Sequence, residues 1–236
     1  MRISLLMPAH NRSIIAALAF LMLAISGPVC PASGNAPKQN AVILVFGDSL
    51  TAGNMLPAAD RERLWVRRAA RNSDGRLTLI NEGKGGRPTG SVADFKAALA
   101  RHPGATALAI MLGTNDSRDT SAQCVAKATA NITAMIEHAR AVRGADFSIL
   151  LIAPPNINKD ALGPSKPIAS EREANLRNLA AAYRALAEKH NTRFATLHGI
   201  LPPETLAKDG VHPDARGNDL IAAALLPDLL KLQNTR

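Results

Sequence analysis

Cysteine is nearly absent from this 236-residue chain. It has only Cys30 and Cys124, which excludes a disulfide framework. Cys30 is expected to leave with an N-terminal leader, and Cys124, alone on a helical pattern, reads as a small core residue. Aromatic residues are also few, one Trp, one Tyr and five Phe, so the core must be built largely from Ala, Leu, Ile and Val. The formal charge is +9, yet the basic residues are scattered, without runs or interleaved aromatics. That describes a solvated surface and excludes nucleic acid as a partner. No apolar run is long enough to span a bilayer. Gly83-Lys84-Gly85-Gly86 lacks the Gly-Lys-Ser/Thr ending of a P-loop. Asp48, Asp116 and Asp119 lack the spacing of a hard-cation loop, so neither a metal nor another cofactor is expected. Internal repeats and low-complexity stretches are missing too.

What is present begins with a leader. Arg2 and Arg12 precede an unbroken apolar run, Ile14 to Ile25, which Gly27 and Pro28 end. This is the pattern of a secretory signal over residues 1–32, with cleavage between 27 and 36, and it predicts a periplasmic or secreted protein. Gly27-Pro28-Val29 is a poor lipobox for Cys30, so no lipid anchor or other stable membrane insertion is expected after cleavage. A linker, 33–40, leads to one domain over 41–236. About 200 residues suffice for one well-buried core. Loss of Arg2 and Arg12 leaves 26 basic against 19 acidic residues, a charge of +7.

Five short runs rich in Ile, Leu and Val predict strands: 41–46, 77–80, 106–112, 147–153 and 193–197. Strands apolar throughout suit a parallel sheet covered on both faces. Helical patterns lie between them. Ser91 with Asp94 and Ser170 with Glu173 read as capping boxes, the second ahead of a Leu176, Leu179, Tyr183, Leu186 stripe of helical period. The alternation predicts an α/β protein, a three-layer α/β/α sandwich on a mostly parallel five-stranded sheet. In such sheets chemistry sits beyond the carboxyl ends of the strands.

Four segments carry chemistry, three of them just after an apolar run. Gly47-Asp48-Ser49-Leu50-Thr51 presents a serine at a strand exit. Asn81-Glu82-Gly83-Lys84-Gly85-Gly86 and Gly113-Thr114-Asn115-Asp116 offer hydrogen-bond donors. Asp209-Gly210-Val211-His212-Pro213 supplies a carboxylate and an imidazole. A serine attacks a carbonyl only with a base, and the base needs a partner to fix its tautomer. Taken alone, Ser49 reads as a helix cap and Asn115 as a turn former; with Asp209 and His212 present, Ser49 reads as a nucleophile. Asp48 is expected to fix the turn through backbone hydrogen bonds. A histidine base predicts activity that falls in acid as the imidazole gains a proton. The sequon Asn131-Ile132-Thr133 lies within a helical pattern and is discounted, and His102, His138, His190 and His198 read as structural or exposed.

In order and content the four segments resemble the blocks of the SGNH (GDSL) hydrolase superfamily, in its bacterial arylesterase and lysophospholipase-like branch, over roughly residues 41–228. The resemblance implies a flavodoxin-like fold and a serine ester hydrolase with Ser49, Asp209 and His212 as catalytic residues. It implies an oxyanion hole formed by the Ser49 and Gly86 amides and the Asn115 side chain. Arg87-Pro88-Thr89 departs from the family's commoner Asp-Thr after that glycine, which leaves Gly85 as the alternative. The two loops expected at the site, 54–63 and 154–169, carry little apolar sequence. That points to short acyl groups, as in acetyl or aryl esters or O-acetylated carbohydrates, so the expected partner is a small-molecule or glycan ester. A thioesterase or lysophospholipase, an acyltransferase using the same acyl-enzyme, and a non-catalytic glycan-binding module are the other readings. Oligomeric state is not encoded legibly.

Overall fold

The computed structural model describes residues 40–234. The expected leader, and the linker except Asn40, lie outside the described residues. The five strands are β1 (Ala41–Gly47), β2 (Leu77–Gly83), β3 (Ala107–Met111), β4 (Ser148–Ala153) and β5 (Arg193–Thr196). They form one sheet in the order β2-β1-β3-β4-β5, parallel at every pairing. Six α-helices accompany them: α1 (Ser49–Ala52), α2 (Trp65–Arg71), α3 (Val92–Arg101), α4 (Cys124–Arg143), α5 (Ala169–Lys189) and α6 (Ala215–Lys231).

Strand alternation divides the interior in two. Ile43 and Val45 of β1, with Ala107, Ala109 and Met111 of β3, meet Trp65 of α2 and Ile221 and Leu225 of α6. Leu44 and Phe46, with Leu108 and Ile110, meet Phe95 of α3, Ile132 and Met135 of α4, and Leu179 and Tyr183 of α5. Both faces are therefore covered, and β1 and β3 carry hardly a polar side chain. Burying one such Leu, Ile or Phe contributes about 1.5–3 kcal/mol, so the central strands hold the layers together. Aliphatic side chains dominate these cores, as composition requires. Yet Trp65, Tyr183, Phe46 and Phe95 are among the largest fully buried side chains, and Phe46 and Phe95 meet edge to face at 5.2 Å. Scarcity of aromatics leaves the few present at the centre.

The strand order places a switch point between β1 and β3, because the chain leaves β1 toward β2 on one side and later returns to β3 on the other. Loops leaving neighbouring strands at such a point diverge and open a crevice. Register is flush there: Gly47 pairs with Gly83 on one side and with Met111 on the other. The segments that follow these residues start at one level.

One helix start differs from expectation. Ser170 lies inside α5, whose cap position is Ile168 with no side-chain cap bond. Glu173 instead accepts from the Ile157 amide at 3.3 Å and pairs with His198 at 2.9 Å. A long-range imidazole partner outcompetes the local box, which gains only one exposed backbone donor. Ser91 does occupy the cap position of α3, again without a side-chain cap bond. The sequon at Asn131 lies within α4, and Asn131 donates its side-chain amide to Thr89 Oγ1.

Candidate active site

Ser49 opens α1 two residues beyond the end of β1. The turn is held by Asp48, whose Oδ1 accepts from the Leu50 amide at 2.9 Å. This one-turn helix lies against β2. A Cβ on Gly83 would stand 2.3 Å from the Ala52 nitrogen, so any side chain there would push away the helix that carries Ser49. Ser49 is 7% exposed.

His212 arrives from the other end of the chain. Leu206 and Pro213 form an antiparallel bridge, and the Ala207 amide donates to the His212 carbonyl at 2.7 Å. Directly afterwards Asp214 caps α6 by accepting from the Gly217 amide. Buried Asn218 donates to the Pro213 carbonyl and accepts from the Trp65 amide. The imidazole is thus held between a bridge on one side and a helix start on the other.

The two ends meet. Ser49 Oγ lies 2.9 Å from His212 Nε2, and His212 Nδ1 lies 2.5 Å from Asp209 Oδ2. Asp209 Oδ1 accepts from the Val211 and His212 amides, both at 3.0 Å. Burial alone would raise the Asp209 carboxyl. The two amides and the imidazole outweigh it and hold the group below its ordinary value. An ionised carboxylate only accepts hydrogen bonds, so Nδ1 carries the ring proton and Nε2 is left as an acceptor facing the serine hydroxyl.

Asn115 leaves β3 in a turn closed by the Ser117 amide on the Gly113 carbonyl. One N–H of its side chain donates to the Arg87 carbonyl at 3.1 Å, and its amide has a second. Asp116 is engaged by Thr89. Its carboxylate accepts from the Thr89 amide at 3.0 and 3.1 Å and from Thr89 Oγ1 at 2.5 Å, stitching the third segment to the second. Among the described residues no cluster of His, Cys, Asp and Glu could hold a metal ion. Gly86 has φ +72° with open space where a Cβ would stand, whereas Gly85 lies against the Asn54 side chain. A positive φ in open space suits glycine and leaves an amide approachable by a ligand.

Of the two loops expected at the site, 154–169 reaches it directly: the Asn158 amide donates to the Gly210 carbonyl at 2.8 Å, within the Asp209–His212 segment. Sequence reasoning missed the buried cations around these loops. Arg172 of α5 is 1% exposed and bonds only to Ser117 Oγ and the Thr114 carbonyl, at 3.4 and 3.5 Å. Burial pushes its guanidinium down to about 10. Arg87, also buried, holds main-chain carbonyls. Position just after the glycine segment was the one available signal for Arg87; for Arg172 there was none.

The GDSL-like lipase/acylhydrolase family model matches residues 45–220. Among solved structures, a carbohydrate acetylesterase family member from Sinorhizobium meliloti is 22% identical over 82% of this chain and 99% of its own, with a TM-score of 0.69. The native M. smegmatis aryl esterase is 21% identical over 81% and 99%, TM-score 0.68. A lipase/acylhydrolase from Enterococcus faecalis is 22% identical over 83% and 98%, TM-score 0.61. No curated protein sequence matches the chain.

Proposed function

The chain belongs to the GDSL-like lipase/acylhydrolase family and is a carboxylic ester hydrolase; from that premise we propose that it cleaves short-chain esters through an acyl-serine intermediate. The observation that carries this reading is the hydrogen-bonded chain from Ser49 Oγ through His212 to Asp209. Ser49 Oγ attacks the ester carbonyl while its proton passes to His212 Nε2, and Asp209 stabilises the imidazolium. The carbonyl oxygen, now an anion, accepts from the Ser49 and Gly86 amides and from Asn115. The imidazolium then protonates the leaving alcohol as the C–O bond breaks. A water, deprotonated by the same nitrogen, releases the acid and restores the serine.

Support for short acyl groups comes from the loops. Met55 and Ile200 are the exposed large hydrophobic residues at the strand carboxyl ends among those described, too little apolar surface to cover a long chain. Two similar structures bear the names of a carbohydrate acetylesterase and an aryl esterase, which agrees with acetyl or aryl esters, O-acetylated carbohydrates included. The test is hydrolysis of p-nitrophenyl esters, acetate through palmitate, beside a Ser49→Ala variant. Expected is activity greatest on the acetate and reduced by at least about a thousandfold in the variant. Palmitate cleaved faster than acetate would overturn the chain-length assignment, and an active Ser49→Ala protein would overturn the mechanism.

A further inference from the structure

We propose that Arg87 is a positioning residue, a clamp that holds the oxyanion donors at one spacing; the proposal rests on the acyl-serine reading. Arg87 is 6% exposed. Its Nη1 donates to the carbonyl of Gly47, two residues before Ser49, at 2.6 Å. The same nitrogen donates to the carbonyl of Glu82 at the end of β2. The Arg87 carbonyl accepts from Asn115 Nδ2 at 3.1 Å, and Gly86 directly precedes it in the chain. One residue therefore touches the main chain of the serine segment, the main chain of the glycine segment and the side chain of Asn115. These are the three places from which the oxyanion donors come.

The side-chain chemistry fits the task. Each terminal guanidinium nitrogen carries two N–H groups fixed in one plane, so Nη1 can hold the ends of β1 and β2 together while the guanidinium carbon stands over the Phe46 ring, 4.0 Å from its centroid. Among the described residues, the hydrogen bonds of this side chain go to neutral carbonyls, and Nε has no partner. The carboxylates of Glu82, Asp94 and Asp48 lie near enough to act on the Arg87 charge, but none of them is hydrogen-bonded to it. A buried cation is a poor device for stability, since an apolar side chain of similar size is often equal or better there. Its usefulness lies in spacing. Asn115 spends one N–H on the Arg87 carbonyl, which fixes the amide plane and leaves the second N–H for an oxyanion.

The consequence is specific. Oxyanion donors act more strongly in the transition state than in the ground state, and a misplacement of about 1 Å costs about 100-fold in rate. Arg87→Met keeps an apolar stem and removes the Nη1 donors. Expected is a fall in kcat of about 100-fold with KM within about twofold of wild type. Arg87→Lys, which retains a cation able to reach one carbonyl, should fall by only about tenfold, half of that effect on a logarithmic scale. Arg87 lines a cavity of about 370 Å³ with Glu82, Lys84, Asp94 and Arg101, and Lys84 and Arg101 at its rim are exposed. Guanidinium ion, added below denaturing concentration, should therefore enter Arg87→Ala and raise its kcat, whereas sodium at equal ionic strength should not.

A kcat in Arg87→Met within about threefold of wild type, a rise in KM at constant kcat, or an Arg87→Ala protein that guanidinium does not rescue would overturn the clamp. If the Met and Ala variants do not fold, Arg87→Lys decides: reduced kcat at unchanged KM and melting temperature supports it, and wild-type kcat overturns it. Ser49→Ala, assayed alongside, separates the two levels. An inert Ser49→Ala beside a fully active Arg87→Met sinks the clamp alone, while an active Ser49→Ala sinks the acyl-enzyme reading beneath it.

Discussion

Asp48 should make the folded protein less stable as the solution becomes less acidic, and its replacement by Asn should remove that penalty. The carboxyl is 1% exposed. Burial pushes it from an ordinary 3.8 up to about 6, only partly offset by the Leu50 amide, the nearby Thr114 side chain and the positive field of His212. Between those two values the folded chain holds the proton and the unfolded chain has lost it. Unfolding then releases a proton, and stability falls as pH rises through this window. At about 1.36 kcal/mol per pH unit, the difference amounts to about 3 kcal/mol once pH exceeds about 6. Asn keeps an oxygen for the Leu50 amide and has no proton to lose. Urea unfolding of wild type and Asp48→Asn from pH 3.5 to 7.5 measures the effect. The two should be nearly equal at the acid end, diverge between about pH 4 and 6, and differ by about 3 kcal/mol in favour of Asn above that. Groups that do not interact with Asp48 contribute equally to both proteins and cancel in the difference. A difference that stays flat with pH would refute the assignment of this titration to Asp48.

Two further substitutions probe the crevice and the core. Asn115→Ala removes one of the proposed oxyanion donors and should lower kcat by about 100- to 1000-fold, roughly 3–4 kcal/mol of barrier, with little change in KM; steady-state kinetics on the acetate ester decide it, and an effect confined to KM would contradict the role. Tyr183 is fully buried and its hydroxyl has no hydrogen-bond partner among the described residues, so Tyr183→Phe should raise stability by about 1 kcal/mol or more; a lower melting temperature would show that the hydroxyl is satisfied.

The three central strands were legible because each is a short, largely apolar run; the edge strands β2 and β5 carry polar residues as well, and the ends of all five fell within three residues of those expected. The meeting of Ser49, His212 and Asp209 was legible because their segments have a fixed order along the chain, and the fold brings them together; the oxyanion role of Asn115 stays a proposal. What was not legible depends on distance. Glu173 was read as a local capping partner, yet it bonds His198 and Ile157, which no local pattern encodes. Arg172 carried no signal in the sequence; only the folded chain shows it bonded to Ser117 and Thr114 of the turn after β3. Arg87 was visible as a departure from a pattern, but its grip on Gly47 spans 40 residues. Short motifs survive translation into one dimension, and the supports beneath them do not.

The bond between Ser49 and His212 joins residues 163 positions apart. During synthesis the serine emerges before four of the five strands and its partner only after all five. Until then the nascent chain carries Ser49 without its proposed base. Under the proposed mechanism, the return of activity after dilution from denaturant times the moment at which residues 49 and 212 come together.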